Sequence, residues 1–392
     1  MSISIVQNPA SISLAQSPIV FSVFENTSIV INTGFQYVAD LYYWTGTNTN
    51  SASVPDYILS KYPNTSFHGI FDFSRILNST LQDLAEANTS NVKYYAVDFY
   101  TQYLSGSTYI TGSHVKSDSY KILDGYGIFQ EPIGQQINLK TPHWPLMTDG
   151  PATQSFLDNN YGSASVFTGV NGASVRPDRI NYVSSLGTSA QYLLTATGST
   201  LTSKQVDQYP IGPANDEFPF TATGLDWFTV QAYSGSSYAI GTPIKFNQVC
   251  NQKYPNIRIK WKNRYGQFDW FNFNMVSRQS FNTERRTYQP QLGSWQASTL
   301  SYQNYDSSVL NYIADSKQSI SVQTDWVSQD YNDIFKQLLV SDEIYWIYGE
   351  GSTDLRPITI NTSSITFKTG VVDKVIQYGF DFNYGQAYKL II

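Results

Sequence analysis

Asp216 and Glu217 stand side by side in a proline-rich loop before Phe218, with Asp226 a few residues further on. Two carboxyl groups could cleave a glycosidic bond if a fold held them roughly 5–10 Å apart across a cleft. Sequence spacing pairs neither of them with a partner such as Asp226, and turn chemistry and solubility are the plainer reading. His143, in the stiff bracket Pro142-His143-Trp144-Pro145, could serve as a general base; a packed or surface histidine explains it more simply. The other histidines, His68 and His114, lie far away in the chain, so no histidine metal motif exists. Cys250 is the only cysteine, which excludes an internal disulfide framework and a thiolate cluster, and reads as a small core residue. The chain contains no G-x-S-x-G elbow, P-loop, G-x-G-x-x-G, H-E-x-x-H or EF-hand loop. The expectation is a chain that is not an enzyme, with no catalytic residue, no metal ligand and no cofactor.

The strongest local signal is electrostatic. Between Lys253 and Arg286, eight of the 24 basic residues fall within 34 positions, opposed only by Asp269 and Glu284. Read as a strand, the segment turns Ile257, Ile259 and Trp261 to one side and Arg258, Lys260, Lys262 and Arg264 to the other. Gly266 permits a turn, and Phe268 to Val276, with Trp270, Phe271 and Phe273, supplies a second strand. One face of the hairpin would be apolar and the other basic. With Arg278, Arg285 and Arg286, this stripe is the candidate contact with an acidic neighbour, either another subunit or a nucleic acid passing close by. The bland alternative is a solvated strand face that discourages edge aggregation.

Aromatic residues form the second signal: 30 Tyr, 22 Phe and 8 Trp make up 15% of the chain, while charged residues make up only 14%. Most must be sheet packing. The surplus points to large surfaces buried by association, or to stacking platforms for sugars, with Trp144, Trp227 and Trp295 as candidate aromatic contacts.

The elements that would position these residues are mostly strands. Short alternating runs broken by Gly, Asn, Asp and Ser predict antiparallel sheet at Ser28–Asn32, Tyr94–Tyr103, Phe228–Tyr233, Ile257–Tyr265, Ile358–Lys368 and Lys374–Phe382. Ser105-Gly106 and Ser234-Gly235 suit hairpin turns. Tyr331, Ile334, Phe335, Leu338 and Leu339 share one face of a helix over Ser328–Leu339, with Ser328 as its N-cap. A second helix is expected from Ser74 to about Ala87, with Ile76, Leu77, Leu81 and Leu84 on one side, and a short helical turn over Val54–Lys61.

The fold class expected is mainly β: multi-domain antiparallel β-sandwiches with a few short helices and a C-terminal α+β block. Three blocks are read from the sequence. Residues 1–128 form an immunoglobulin-like sandwich with a helical insertion. Residues 129–295 form a β-rich middle domain with loops at Thr141–Ala152 and Gln208–Pro219. Residues 296–392 form a β domain with one helix, whose strands Ile358–Lys368 and Lys374–Phe382 the helix covers. No fixed-period repeat is present.

The 392 residues carry a net charge of −6, which argues against wholesale nucleic-acid binding. No run of apolar residues is long enough to span a bilayer, so no membrane partner is expected. The N-terminus lacks a basic region before Lys61, against a signal peptide of the usual kind. The N-x-S/T triplets at Asn26, Asn64, Asn78, Asn88 and Asn361 read as chance in so Asn-, Ser- and Thr-rich a chain.

Three stretches carry a resemblance. Phe71-Asp72-Phe73-Ser74-Arg75-Ile76-Leu77 ends a strand and opens a helix; Ile257–Phe273 reads IRIKWKNRYGQFDWFNF; and Thr324–Ile347 reads TDWVSQDYNDIFKQLLVSDEIYWI, followed by Leu355–Ile360. Together they resemble virion structural proteins of tailed bacteriophages of Bacteroidota hosts, including the crAss-like phages, over about half of the chain. The resemblance implies an all-β, non-enzymatic tail or connector subunit that forms a symmetric ring. It also implies assembly in a bacterial cytoplasm into a virion, with copies of itself and other virion proteins as partners and packaged DNA nearby. The alternative from another class is a carbohydrate- or receptor-binding module, a fibre or adhesin using aromatic platforms.

Overall fold

Alternation of aromatic and β-branched residues with polar ones becomes strand along most of the chain, and the protein is mainly β with several antiparallel and mixed sheets and few short helices. The computed structural model describes residues 3–25, 32–45, 53–81, 92–128, 143–168, 176–194, 206–221, 223–249, 253–293, 295–296, 298–348, 354–370 and 376–386. Two compact units emerge: Met1–Val249 with Lys262–Asp269, and Cys250–Trp261 with Trp270–Ile392. This division differs from the three sequence blocks. Hydrogen bonding joins strands from 257–273 to strands beyond 344 in one sheet, so the break falls near residue 250 and not 295.

The first unit begins with β1 (Ser4–Gln7), β2 (Ile12–Leu14), β3 (Val20–Phe24), β4 (Gln36–Trp44), β5 (Tyr57–Lys61), β6 (His68–Asp72), helix α1 (Ser74–Ser79), β7 (Val92–Ser105), β8 (Thr108–Lys116) and β9 (Tyr120–Leu123). A three-stranded sheet β1-β3-β6 faces a six-stranded one, β2-β9-β7-β4-β5 with β8 on β7. Phe21, Val23 and Phe71 from one sheet and Tyr37, Leu41, Tyr95, Val97 and Phe99 from the other share one core, which is a β-sandwich. Phe21 lies 5.3 Å from Phe99 and 5.8 Å from Phe73, ring centre to ring centre. Helix α1 caps this core through Leu77, followed by Leu81. The helix expected to Ala87 ends here at Ser79, and residues 82–91 lie outside the described residues. Tyr57–Lys61, expected as a helical turn, is an edge strand, because its backbone pairs in register with Tyr37–Leu41 of β4. The expected strand Ser28–Asn32 falls mostly outside the described residues.

The unit continues with β10 (Thr153–Phe156), β11 (Ser163–Phe167), β12 (Arg179–Ser184), β13 (Ser189–Leu193), β14 (Val206–Pro210), β15 (Trp227–Ser234) and β16 (Tyr238–Gln248). They form a five-stranded sheet, β10-β16-β15-β12-β13, and a β11-β14 pair. Phe228 centres their packing, 5.0 Å from Phe156, 5.0 Å from Phe218 and 4.9 Å from Phe246. Both expected hairpins form: Gly106 (φ +67°) closes β7–β8 and Gly235 (φ +64°) closes β15–β16, at backbone angles that need no Cβ.

The second unit carries β17 (Ile257–Lys262), β18 (Phe268–Phe273), β19 (Arg278–Tyr288), β20 (Leu310–Gln323), helix α2 (Asn332–Val340), β21 (Ile344–Ile347), β22 (Leu355–Ile360) and β23 (Gly379–Tyr384). They order as one seven-stranded sheet, β18-β17-β21-β22-β23-β20-β19. Helix α2 matches the predicted apolar face, with Ile334, Phe335 and Leu338 buried. Phe335 is fully buried, 5.1 Å from Phe271, 5.6 Å from Tyr378 and 5.3 Å from Phe380. One 3₁₀ turn, Gln329–Tyr331, precedes the helix, and Ser328 is extended and caps no backbone N–H with its side chain. The two C-terminal strands are shorter than expected: β22 stops at Ile360, while Ile365 and Phe367 pack against the core from irregular chain.

Candidate interaction surface

The alternation read from Ile257–Arg264 is correct in phase, but its basic face is not a surface. Ile259 and Trp261 are buried in the core of the second unit, and Arg258 and Lys260 on the opposite face are only 8% and 4% exposed. Arg258 Nη1 donates to Asn272 Oδ1 at 3.0 Å, and its guanidinium lies 5.0 Å from the Trp270 ring centre. Lys260 Nζ sits 5.2 Å from Trp270 and 5.6 Å from Tyr345, so aromatic faces take the place of water around both cations. Burial pushes Arg258 down to about 9 and Lys260 down to about 8, the latter partly offset by the Glu343 carboxylate.

The turn of the same hairpin belongs to the first unit and is held there as a polar plug. Lys262 Nζ pairs with Asp124 Oδ2 at 2.8 Å, and Arg264 Nε pairs with Asp149 Oδ2 at 2.7 Å. Tyr265 Oη donates to Asp149 Oδ1 at 2.8 Å while accepting from Arg264 Nη2 at 2.8 Å. Asn263 Oδ1 accepts from the backbone N–H of Tyr265 and Gln267, which shapes the loop, and Asn263 Nδ2 donates to the Met147 carbonyl. Gly266 (φ +69°) has no room for a side chain: a Cβ would lie 2.3 Å from the Asp124 carbonyl oxygen. Asp269 is buried at the foot of this plug, and desolvation raises its carboxyl to about 7. Arg258, Lys260, Lys262 and Arg264 therefore hold the fold internally. Their expected role as an exposed electrostatic stripe is corrected, because each finds its acidic or aromatic partner within the chain.

Arg278, Arg285 and Arg286 do lie on a surface. All eleven residues of β19 are exposed. Strand β20 pairs with β23 only over Ser319–Gln323, so Asn282–Tyr288 and Leu310–Lys317 form a two-stranded ribbon with no further strand among the described residues. At about 3.4 Å per residue, the eight residues Leu310–Lys317 make the ribbon roughly 27 Å long. The connection between its strands exposes Trp295 (63%), Tyr302 (69%) and Tyr305 (84%), and Tyr288 and Tyr312 meet edge to face at 6.1 Å on the ribbon itself. A depression of about 450 Å³ lies in this connection, at the end of the ribbon away from β23, lined by Pro290, Leu292, Tyr302 and Asp306 among others. Trp295 Nε1 donates to the Leu292 carbonyl beside it.

The other two candidate tryptophans are half-buried. Trp144 packs on Phe167 at 5.4 Å and precedes a cis Pro145, and Trp227 carries Lys245 Nζ 4.7 Å above its ring. His143 is buried, and its Nδ1 lies 3.1 Å from the Thr242 carbonyl oxygen and 3.0 Å from the Thr242 hydroxyl. His68 stacks on Phe24, and His114 stacks on Tyr100 and contacts Asp98 at 3.3 Å. Glu217 accepts from Tyr192 Oη at 2.9 Å. Among the described residues, no group of three histidine, cysteine or acidic side chains is placed to hold a metal ion, and no helix is long and apolar enough to cross a membrane. Sequence reasoning missed the ribbon, although a signal for it was present: RQSFNTERRTY has no period-two apolar face, which marks a strand with neither side in a core.

No protein-family model and no curated protein matches the chain. Among solved structures it is similar to Salmonella alpha-2-macroglobulin, at 8% identity and a TM-score of 0.19. That likeness covers 99% of this chain and 31% of the other, so the chain spans about a third of that protein's length.

Proposed function

We propose that this protein is a structural subunit, not an enzyme, and that it works by joining copies of itself and neighbouring proteins into a larger assembly. The observation that carries the reading is the exposed ribbon of β19 and β20 with its aromatic connection. A two-stranded ribbon with no buried face is marginal alone in water, and exposed Tyr, Trp and Arg are the residues that anchor protein interfaces. The sequence resemblance to virion structural proteins of tailed phages sharpens the proposal to a ring-forming subunit of a tail or connector, placed in the virion. Light scattering coupled to size exclusion, followed by negative-stain imaging, tests it. The expected result is a discrete oligomer or incorporation into particles, and a protein that stays monomeric and joins no particle refutes the reading.

The rival reading is a carbohydrate- or receptor-binding module, favoured by one observation: Trp295 is exposed beside the depression at Leu292 and Tyr302. Glycan-array binding that is lost in Trp295→Ala would select it.

A further inference from the structure

We infer that the connection between β19 and β20 is a lipid-contacting tip, which seats its exposed aromatic and aliphatic side chains in the interfacial layer of a phospholipid surface. The inference goes beyond the assembly reading: the strands of the ribbon can join copies while their connection meets lipid. Between Gln289 and Leu310 the only charged residue is Asp306. Leu292, Trp295, Leu300, Tyr302, Tyr305 and Val309 are all exposed there, in a segment that the ribbon holds out beyond its last pair, Tyr288 and Leu310. Soluble chains rarely expose large apolar patches, and those that are exposed mark interaction sites. Several polar groups of the segment meanwhile turn inward. Trp295 Nε1 donates to the Leu292 carbonyl at 2.9 Å, and Asp306 Oδ2 accepts from the Gln303 N–H at 2.8 Å. The Asp306 N–H donates to the Gln303 carbonyl at 2.9 Å, and Ser307 Oγ donates to the Val309 carbonyl at 2.6 Å. Polar groups that already have partners are what a segment needs where water is withdrawn from it. Tyrosine and tryptophan suit the layer between headgroups and acyl chains, because one end of each ring is apolar and the other stays hydrated.

Charge fixes the depth and the kind of surface. Arg286 and Arg285 lie two and three residues behind Tyr288, about 7–10 Å down the strand. Amphipathic elements enter the headgroup–acyl boundary by roughly 5–10 Å, so a seated tip brings these guanidinium groups to the level of the phosphates. Arg286 shares Glu284 at 3.7 Å in an exposed, water-screened pair, and Arg285 makes no ion pair among the described residues. A protein interface is rimmed by polar contacts on every side of its apolar centre. Here the end of the ribbon is nearly free of charge and the cations stand behind it, which is the order met on passing from acyl chains to phosphates. The sequence expectation of no membrane partner concerns crossing a bilayer, and a tip resting in its surface needs no spanning segment.

Vesicle flotation of the full chain tests this, with liposomes of phosphatidylcholine alone and of phosphatidylcholine and phosphatidylglycerol in equal parts. The chain should float with both, and more strongly with the anionic mixture. Trp295→Ser combined with Tyr305→Ser should weaken binding about tenfold or more, since binding follows the apolar area buried. Arg285→Gln should lower the preference for phosphatidylglycerol. Lipids brominated along the acyl chain should quench the tryptophan fluorescence of the bound chain, and Trp295→Phe should float like the native protein while losing most of that quenching. These side chains are exposed, so the variants should fold, which circular dichroism checks. A chain that floats with neither vesicle overturns the inference; the assembly reading then stands if light scattering still finds an oligomer and falls with it if the chain is monomeric. Flotation that the double variant leaves intact, or quenching that persists in Trp295→Phe, puts the lipid contact elsewhere and overturns it as well. So does a double variant that loses self-association and not vesicle binding, which makes the tip a protein contact.

Discussion

Reversing the charge at Arg258 should unfold the second unit under conditions that leave the native chain intact. Arg258 is 8% exposed, and its guanidinium is bonded to Asn272 and stacked by Trp270. Losing a hydrogen bond to a charged group costs about 1.5–3 kcal/mol, and a desolvated cation–π contact about 2 kcal/mol. Arg258→Glu also leaves a carboxylate without a cation bonded to it, so the total reaches at least about 3–5 kcal/mol. A domain has only about 5–15 kcal/mol to lose. Arg258→Met removes the charge together with its desolvation cost. Asn272 Oδ1 then still accepts from Asn256 Nδ2 at 3.1 Å, so no acceptor is stranded. That variant should lie within about 1 kcal/mol of native or be more stable. Urea unfolding followed by tryptophan fluorescence measures both, with Trp270 reporting on the site itself. An Arg258→Glu protein within about 0.5 kcal/mol of native would mean that the side chain is solvated, as a surface strand would have it, and would refute the burial of this face.

Phe335→Ala should cost about 3–5 kcal/mol in the same assay, because a fully buried ring among Phe271, Tyr378 and Phe380 leaves a cavity; a cost below about 1 kcal/mol would mean that α2 does not pack as described. Asp269 makes stability depend on pH. Its carboxyl is raised from 3.8 to about 7 in the fold, so the folded state holds its proton more tightly. The contribution is fully present below pH 3.8 and is lost as pH rises through 7, on the order of 4 kcal/mol in all. Asp269→Asn should flatten this part of the pH profile between pH 4 and 7.5, and an unchanged slope would show that the carboxyl is not buried as a proton-holding group.

Much of the fold was legible because its signals are local. Period-two alternation marks Tyr94–Tyr103 and Phe228–Tyr233, a positive-φ glycine marks each hairpin, and one apolar face marks Phe335 and its neighbours. The Ile257–Trp261 alternation even assigned the two faces of β17 correctly. The candidate surface was less legible. A strand shows which residues share a face, but not what lies over that face. Arg258 and Lys260 read as a solvent stripe until Trp270, Asn272 and Tyr345 are seen beside them. Val54–Lys61 was misread for the same reason, since its conformation is set by β4, not by its own residues.

By itself, the sequence determined a mainly β chain whose elements and face assignments follow from local periodicity and turn chemistry. Only the tertiary structure decided which charges meet water. Burial is a property of what other segments bring, often more than a hundred residues away, as Asp149 is brought to Arg264. Arg258 and Arg278 are alike as letters; one is buried against Trp270 and Asn272 and the other is exposed on a strand, and that difference determines which of them can meet a partner.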